Sequence, residues 1–394
     1  MKFDNDTYRI TEPGRFGAIA LMVGVAGLAL SLVAYFVDSE QFFHSYLVAF
    51  FFWISIALGG LFFTMLHHLV GAKWSVVLRR LSENLMTAAP LMIIFFIPIL
   101  FGFHELYHWS HDDAVAPDSL LQGKSGYLNV PFFVIRALFY FVIWAALSRI
   151  LFRTSAAQDA GHNDSLLRKM RVTSAPGMIL FALTITFAAF DWLMSLDPHW
   201  YSTIFGVYVF SGALVAMLAF MTFVILRLRA MAALTGTITE EHYHDLGKLM
   251  FGFIIFWGYM AFSQYFLIWY GNIPEETIWF LHRWDTSWKI VSLILVFGHF
   301  VIPFFVLFPR GPKRNPAILK FMAIWILFMH LIDLHWIVLP NLHQHGLHPS
   351  WIDLTTLAGI GGVFLWFFWR RMASRPLVPV GDPHLEESKK FVNY

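Results

Sequence analysis

The stretch DWLMSLDPHWYSTIFGVYVFSGALVAMLAFMTFVILRLR, Asp191 to Arg229, decides the fold class. Residues 203–226 hold no charged side chain. At about 1.5 Å of helix rise per residue they reach about 36 Å, enough to cross a hydrocarbon core of roughly 30 Å. Ahead of the run stands a mixture of Trp, Tyr, His and Asp, the chemistry of a membrane interface. Behind it stand Arg227 and Arg229, cations of the kind that hold a helix end on the cytoplasmic side.

The same grammar recurs along the chain. Ten segments are apolar enough to span: about 16–37, 42–70, 84–106, 130–151, 175–194, 203–226, 248–270, 288–308, 317–339 and 352–369. Only 13% of the 394 residues are charged, against about 25% in soluble globular proteins. That is too few for a polar shell, which argues against soluble enzymes, nucleic-acid binders and disordered proteins. The opening MKFDNDTYRITEPGR is polar and mixed in charge, and does not read as a cleavable signal peptide. Cysteine is absent, which excludes disulfides, thiolate-ligated iron–sulfur clusters, Cys-bound zinc and covalent c-type haem.

The expected fold is an all-α integral membrane protein of ten transmembrane helices. Residues 1–15 form a cytoplasmic N-terminus, 16–369 the membrane domain and 370–394 a cytoplasmic tail. A weak repetition suggests two four-helix bundles, helices two to five (42–194) and six to nine (203–339), with helices one and ten peripheral. Of the 27 Lys and Arg, 23 fall on the termini and alternate loops. Only Lys124, Arg283 and Lys289 fall on the opposite side, and Arg136 lies within a span. This asymmetry places both termini in the cytoplasm and makes the helix count even.

Ionisable groups at depth are functional-site hypotheses by default. His104, Glu105, Arg136 and Asp191, from helices three, four and five, lie near one outer boundary and form a candidate pocket. The bland readings are a snorkelling Arg136, a simple ion pair and interfacial side chains. His299, His330, Asp333 and His335 climb helices eight and nine, and Asp285 and Lys289 open helix eight at an i,i+4 spacing. Such His and carboxylate chains suit proton relay, because His titrates near neutral pH. Satisfied inter-helix hydrogen bonds are the alternative. His67, His68 and Glu83 lie at the cytoplasmic ends of helices two and three and form a candidate inner mouth, or a solvated interface.

His299 and His330 leave room for one haem b, although no two helices carry paired, regularly spaced His residues. The HQHGLH run, His343 to His348, is loosely zinc-like but isolated. The chain is expected to hold no metal, haem or iron–sulfur cluster of its own.

Three segments carry a family resemblance: DWLMSLDPHWYSTIFGVYVFSG (Asp191–Gly212), FLHRWDTSWKIVSLILVFGHFVIPF (Phe280–Phe304) and LIDLHWIVLPNLH (Leu331–His343). With the ten spans, they resemble the NrfD/polysulfide-reductase-type membrane subunits. The nearest likeness is to the shorter, ActF-type subunit of bacterial alternative complex III. The resemblance implies a multi-pass subunit of the bacterial inner membrane, with two four-helix bundles and no redox centre of its own. It implies a companion NrfD-like membrane subunit, a periplasmic iron–sulfur subunit and multihaem cytochrome c subunits as partners. It also implies menaquinol or ubiquinol bound non-covalently near the periplasmic side, at His104, Glu105, Arg136 and Asp191, with electrons leaving to the partners' clusters. Two rivals remain open. One is a scaffold or proton-conducting subunit of the same complex without quinol. The other is a secondary transporter, for which Pro98 and Pro303 are the nearest helix breakers.

Overall fold

Apolar runs become helices wherever the surroundings offer backbone groups no other partner. The computed structural model, which describes residues 1–393, is accordingly almost all helix. A short antiparallel hairpin, β1 (Lys2–Asp4) and β2 (Arg9–Glu12), precedes α1 (Phe16–Val37). Asp38 alone separates α1 from α2 (Ser39–Val70); its extended backbone ends one helix and its carboxylate accepts from the Gln41 N–H to cap the next. α2 is buried along nearly its whole length, as expected for a helix that is apolar all round. Gly71, in the left-handed conformation at φ +60°, terminates it.

The third expected span is broken. In place of one helix over 84–106 the chain forms α3 (Val76–Met86), a turn over 87–91, and α4 (Met92–Phe101). Pro90 has no N–H to continue the helical ladder. The connection that follows contains the short turns α5 (Phe103–Leu106), α6 (Asp112–Val115) and α7 (Ser119–Lys124). Then come α8 (Val130–Ala157), α9 (Asp164–Trp192), α10 (Phe205–Ala230) and α11 (Glu240–Gly271). A short α12 (Pro274–His282) leads to α13 (Trp288–Ile294), a π-helical segment over Leu295–Val301, and α14 (Ile302–Leu307). The chain closes with α15 (Arg310–Arg314), α16 (Pro316–Val338), α17 (Trp351–Ser374) and α18 (Leu385–Lys389).

Among the described residues, nine helices are long and apolar enough to cross a membrane, and α4 is a shorter apolar helix. The chain is therefore an all-α, multi-pass membrane protein. α2 and α10 form the centre: α2 packs on α3, α9, α10, α16 and α17, and α10 packs on α9, α11 and α16. α1 lies outside, against α17. Both termini share one face, because the Leu377 N–H donates to the Tyr8 carbonyl at 2.8 Å.

Candidate functional site

Among the buried acids of the membrane domain, Asp191 and Asp333 lie toward the helix ends opposite the termini, and their surroundings differ. Asp191, on the last turn of α9, is fully buried and receives a bidentate grip from Arg136 of α8: Nε to Oδ2 at 2.8 Å and Nη2 to Oδ1 at 2.9 Å. Tyr140 adds a third donor at 2.7 Å. The remaining guanidinium nitrogen donates to the Tyr127 carbonyl at 2.9 Å, and the Tyr127 and Phe132 rings stack on Arg136 at 3.8 and 4.3 Å. This is a charge-neutral pair with most of its donors and acceptors engaged. Within this shell the Tyr127 hydroxyl is buried without a partner.

His104 and Glu105 do not join this pair. His104 is exposed and stacks on His111 at 4.0 Å. Glu105 is half-buried, with one carboxylate oxygen buried and unpartnered. The structure thus joins two of the four expected pocket groups. The segment they occupy is fixed instead by Tyr107 and Trp109, which donate to the carbonyls of Trp192 and Ser195, both at 3.1 Å.

Asp333 on α16 is the second acid. Its donors are Tyr208 of α10 and the Trp257 indole of α11, the latter at 3.1 Å. Among the described residues it makes no ion pair. The Trp257 ring lies flat on His299, centroids 3.9 Å apart. His299 sits in the π-helical segment, and both its ring nitrogens are buried without partners. Pro303 accounts for the π geometry: its ring crowds the carbonyl four residues back, which is that of His299. The Gly298 carbonyl turns instead to the Trp325 indole at 2.7 Å.

One turn below Asp333 lies His330. The Ser55 hydroxyl donates to the Phe52 carbonyl at 2.8 Å. Its single proton being used, the 3.0 Å contact with His330 Nε2 has the ring as donor. That leaves His330 Nδ1 an acceptor, and it too is buried without a partner. Gly212 makes room for it, since a Cβ there would stand 3.3 Å from that nitrogen. Ser55, His330, Gly212, Trp257, His299, Asp333 and Tyr208 thus join four helices and the π segment in one buried polar group.

The other candidates have separate fates. His335 directs Nδ1 at the Leu331 carbonyl, 2.8 Å, and Nε2 toward Asp353 of α17, 3.7 Å. Asp285 lies in the turn before α13, which starts only at Trp288, so it and Lys289 do not share a helix face. Both are exposed, and no ion pair joins them among the described residues. The buried cation of that turn is Arg283, which donates to the carbonyls of Trp279, Trp336 and Ile337 at 2.9–3.0 Å and stacks on Trp279 at 3.5 Å.

At the end of α2, on the face of the termini, His67 contacts the Phe63 carbonyl at 2.7 Å, and His68 Nε2 is buried and unpartnered. Glu83 is no solvated group: it is fully buried, accepting from Arg79 at 3.1 Å and from Ser155 at 2.8 Å. Arg80 Nε approaches it at 3.2 Å, off line for a hydrogen bond. Arg79 also reaches Asp382, and Arg80 reaches Asp159, each at 2.7 Å.

One chain of contacts had only a partial signal in the sequence, His343 of the HQHGLH run. His343 faces Gln41 at 2.6 Å; Gln41 donates to Ser45 at 2.8 Å, and Ser45 donates to Asp353 at 2.6 Å. Its bonded partners are up to 308 positions apart, and polar residues at helix ends such as Gln41, Ser45 and Asp353 are too common to single out. Among the described residues, no three His, Asp or Glu side chains converge as metal ligands. The chain matches no protein-family model, and comparison with the curated proteins finds no match.

Proposed function

We propose that this chain is the membrane subunit of a respiratory quinol:cytochrome c/acceptor oxidoreductase of the alternative complex III type, where it moves protons and contributes to quinol interaction near the periplasmic side. The observation that carries the proton-transfer role is Asp333. It is a buried carboxyl held only by neutral donors, one of which stacks on a histidine with two free ring nitrogens. A carboxyl without a counter-ion can take up and release a proton in place; one locked to arginine cannot do so cheaply. His299 and His330 are placed to pass such a proton on.

In this reading α4 counts as part of the third of ten crossings, helices two to five and six to nine form two bundles, and both termini face the cytoplasm of a bacterial inner membrane. Menaquinol or ubiquinol enters from lipid toward the outer ends of α8 and α9. The free Tyr127 hydroxyl beside the Arg136–Asp191 pair supports an interaction there with a quinol hydroxyl. Electrons go to the periplasmic iron–sulfur and multihaem cytochrome c partners, with the companion NrfD-like subunit alongside.

Proton release and quinol turnover of the complex in proteoliposomes test the proton role. Asp333→Asn is expected to lower proton release by about 100-fold, the usual weight of one proton-transfer group. Unchanged release in that variant would remove the role. The closed Arg136–Asp191 pair favours a second reading, a proton-conducting subunit with no quinol of its own. Photo-crosslinking with an azido-quinone decides between them. Label on peptides of this chain supports the first reading, and label confined to the companion subunit supports the second.

A further inference from the structure

Four arginines without a counter-ion gather on the face that carries both termini. Arg149 and Arg153 lie one turn apart on α8, and Arg371 and Arg375 one turn apart at the end of α17. Among the described residues, none of the four makes an ion pair. Asp159, a carboxylate that feels the charge of Arg375, is already engaged by Arg80. Arg371 Nε is buried and unpartnered. Phe152 lies between the two pairs, with Arg371 over its ring at 4.4 Å and Arg375 at 6.0 Å. Two adjoining cavities open here, of about 340 and 320 Å³, and share Phe152, Arg153 and Arg371 as walls.

The depth of this site is fixed twice. Arg149 stands nineteen residues from the outer start of α8 at Val130, and Arg371 twenty residues from the outer start of α17 at Trp351. Both distances are about 30 Å of helix, one hydrocarbon thickness. The second cavity continues one turn, about 6 Å, toward the membrane interior, over Ala145 and Phe367. Thr87 and Pro90, where α3 and α4 separate, also line it. The site is thus cationic at headgroup level and apolar below it.

We propose that this groove between α8 and α17 binds one anionic phospholipid. Its phosphate lies among Arg149, Arg153, Arg371 and Arg375, and its acyl chains descend over Ala145 and Phe367. Basic pockets between helices at this level suit acidic headgroups. A soluble anion would use the guanidinium groups and leave the apolar floor uncovered; a lipid occupies both.

Native mass spectrometry of the full chain, extracted in its native assembly with mild detergent, tests this. Dioleoylphosphatidylglycerol should survive delipidating washes, dioleoylphosphatidylcholine should not, and millimolar inorganic phosphate should not displace the bound lipid. Arg153→Gln with Arg371→Gln should weaken retention by about 30-fold. Equal retention of the two lipids, loss of lipid to inorganic phosphate, or undiminished retention in the double variant overturns the proposal. Should that variant misfold, the wild-type chain suffices. A phosphatidylglycerol carrying a diazirine on its acyl chain should label peptides from 145–153 or 366–375, and label only elsewhere refutes the site.

Discussion

Asp191 and Asp333 are both buried aspartates near the helix ends opposite the termini, and their partners set them apart. Asp191 is neutralised by a bidentate guanidinium; Asp333 is held by a phenol and an indole. Removing one member of a buried ion pair strands the other charge, at a cost of about 3–5 kcal/mol. Asp191→Asn is therefore expected to lower thermal stability sharply, while Asp333→Asn, which strands no charge, should melt within about 1 kcal/mol of wild type. Thermal unfolding of the two variants side by side checks the contrast, and equal losses would contradict it. Arg283 obeys the same logic through carbonyls: Arg283→Met takes a charged donor from each of three, of which only that of Ile337 keeps a side-chain partner, Asn341, and should cost about 3 kcal/mol in the same assay. The sequence marks Asp191, Arg136, His299 and Asp333, because a charge or imidazole inside an apolar run stands out. It does not mark their partners. Tyr208 and Trp257 look like any aromatic residue of a spanning helix, and His104 and Glu105 share a depth with Arg136 without reaching it.

At the level of elements, helix identity is legible and helix interruption only partly so. Pro90 and Pro303 are visible in the sequence, yet one breaks a span while the other widens a helix to π geometry. The difference lies in what receives the freed backbone groups, here the Trp325 indole for the Gly298 carbonyl. Helix contact depends on glycine where backbones nearly touch. A Cβ on Gly27 of α1 would stand 2.5 Å from the Gly359 nitrogen of α17. Gly27→Leu should separate α1 from α17 and cost about 1–3 kcal/mol by overpacking, read as a lowered melting temperature. The loop between α16 and α17 carries a pH dependence. Burial, aided by neighbouring His348, lowers the His343 pKa below its ordinary 6.5, against the opposing pull of Asp353 and Asp38. As pH falls below 6.5, the unfolded segment takes up a proton that the folded one resists, so stability declines until the lowered folded value is passed. Protection of the amides over 342–350, taken relative to the intrinsic exchange rate at each pH, should therefore fall from pH 7.5 to 5.5, and His343→Gln should flatten that response.

The whole molecule ties its two ends together on one face. The tail after α17 is no free extension. Asp382 binds Arg79, and Ser388 receives the Val77 N–H and donates to the Trp74 carbonyl. Asp382→Asn should release the tail and speed trypsin cleavage at Lys389 and Lys390 by about tenfold or more, since cleavage follows the population of the opened segment. The sequence alone determined the class and the plan: an all-helical chain that crosses the membrane many times, with its cations sorted to one side. Those properties follow from the cost of exposing polar backbone and charge to hydrocarbon, which acts on each segment separately. Tertiary structure alone decided which buried charges are neutralised. It closed Arg136 on Asp191, left Asp333 with neutral donors, and brought Arg149 and Arg153 beside Arg371 and Arg375. Each arrangement depends on helices far apart in the chain meeting at one depth, and a side chain within its own segment carries no record of that meeting.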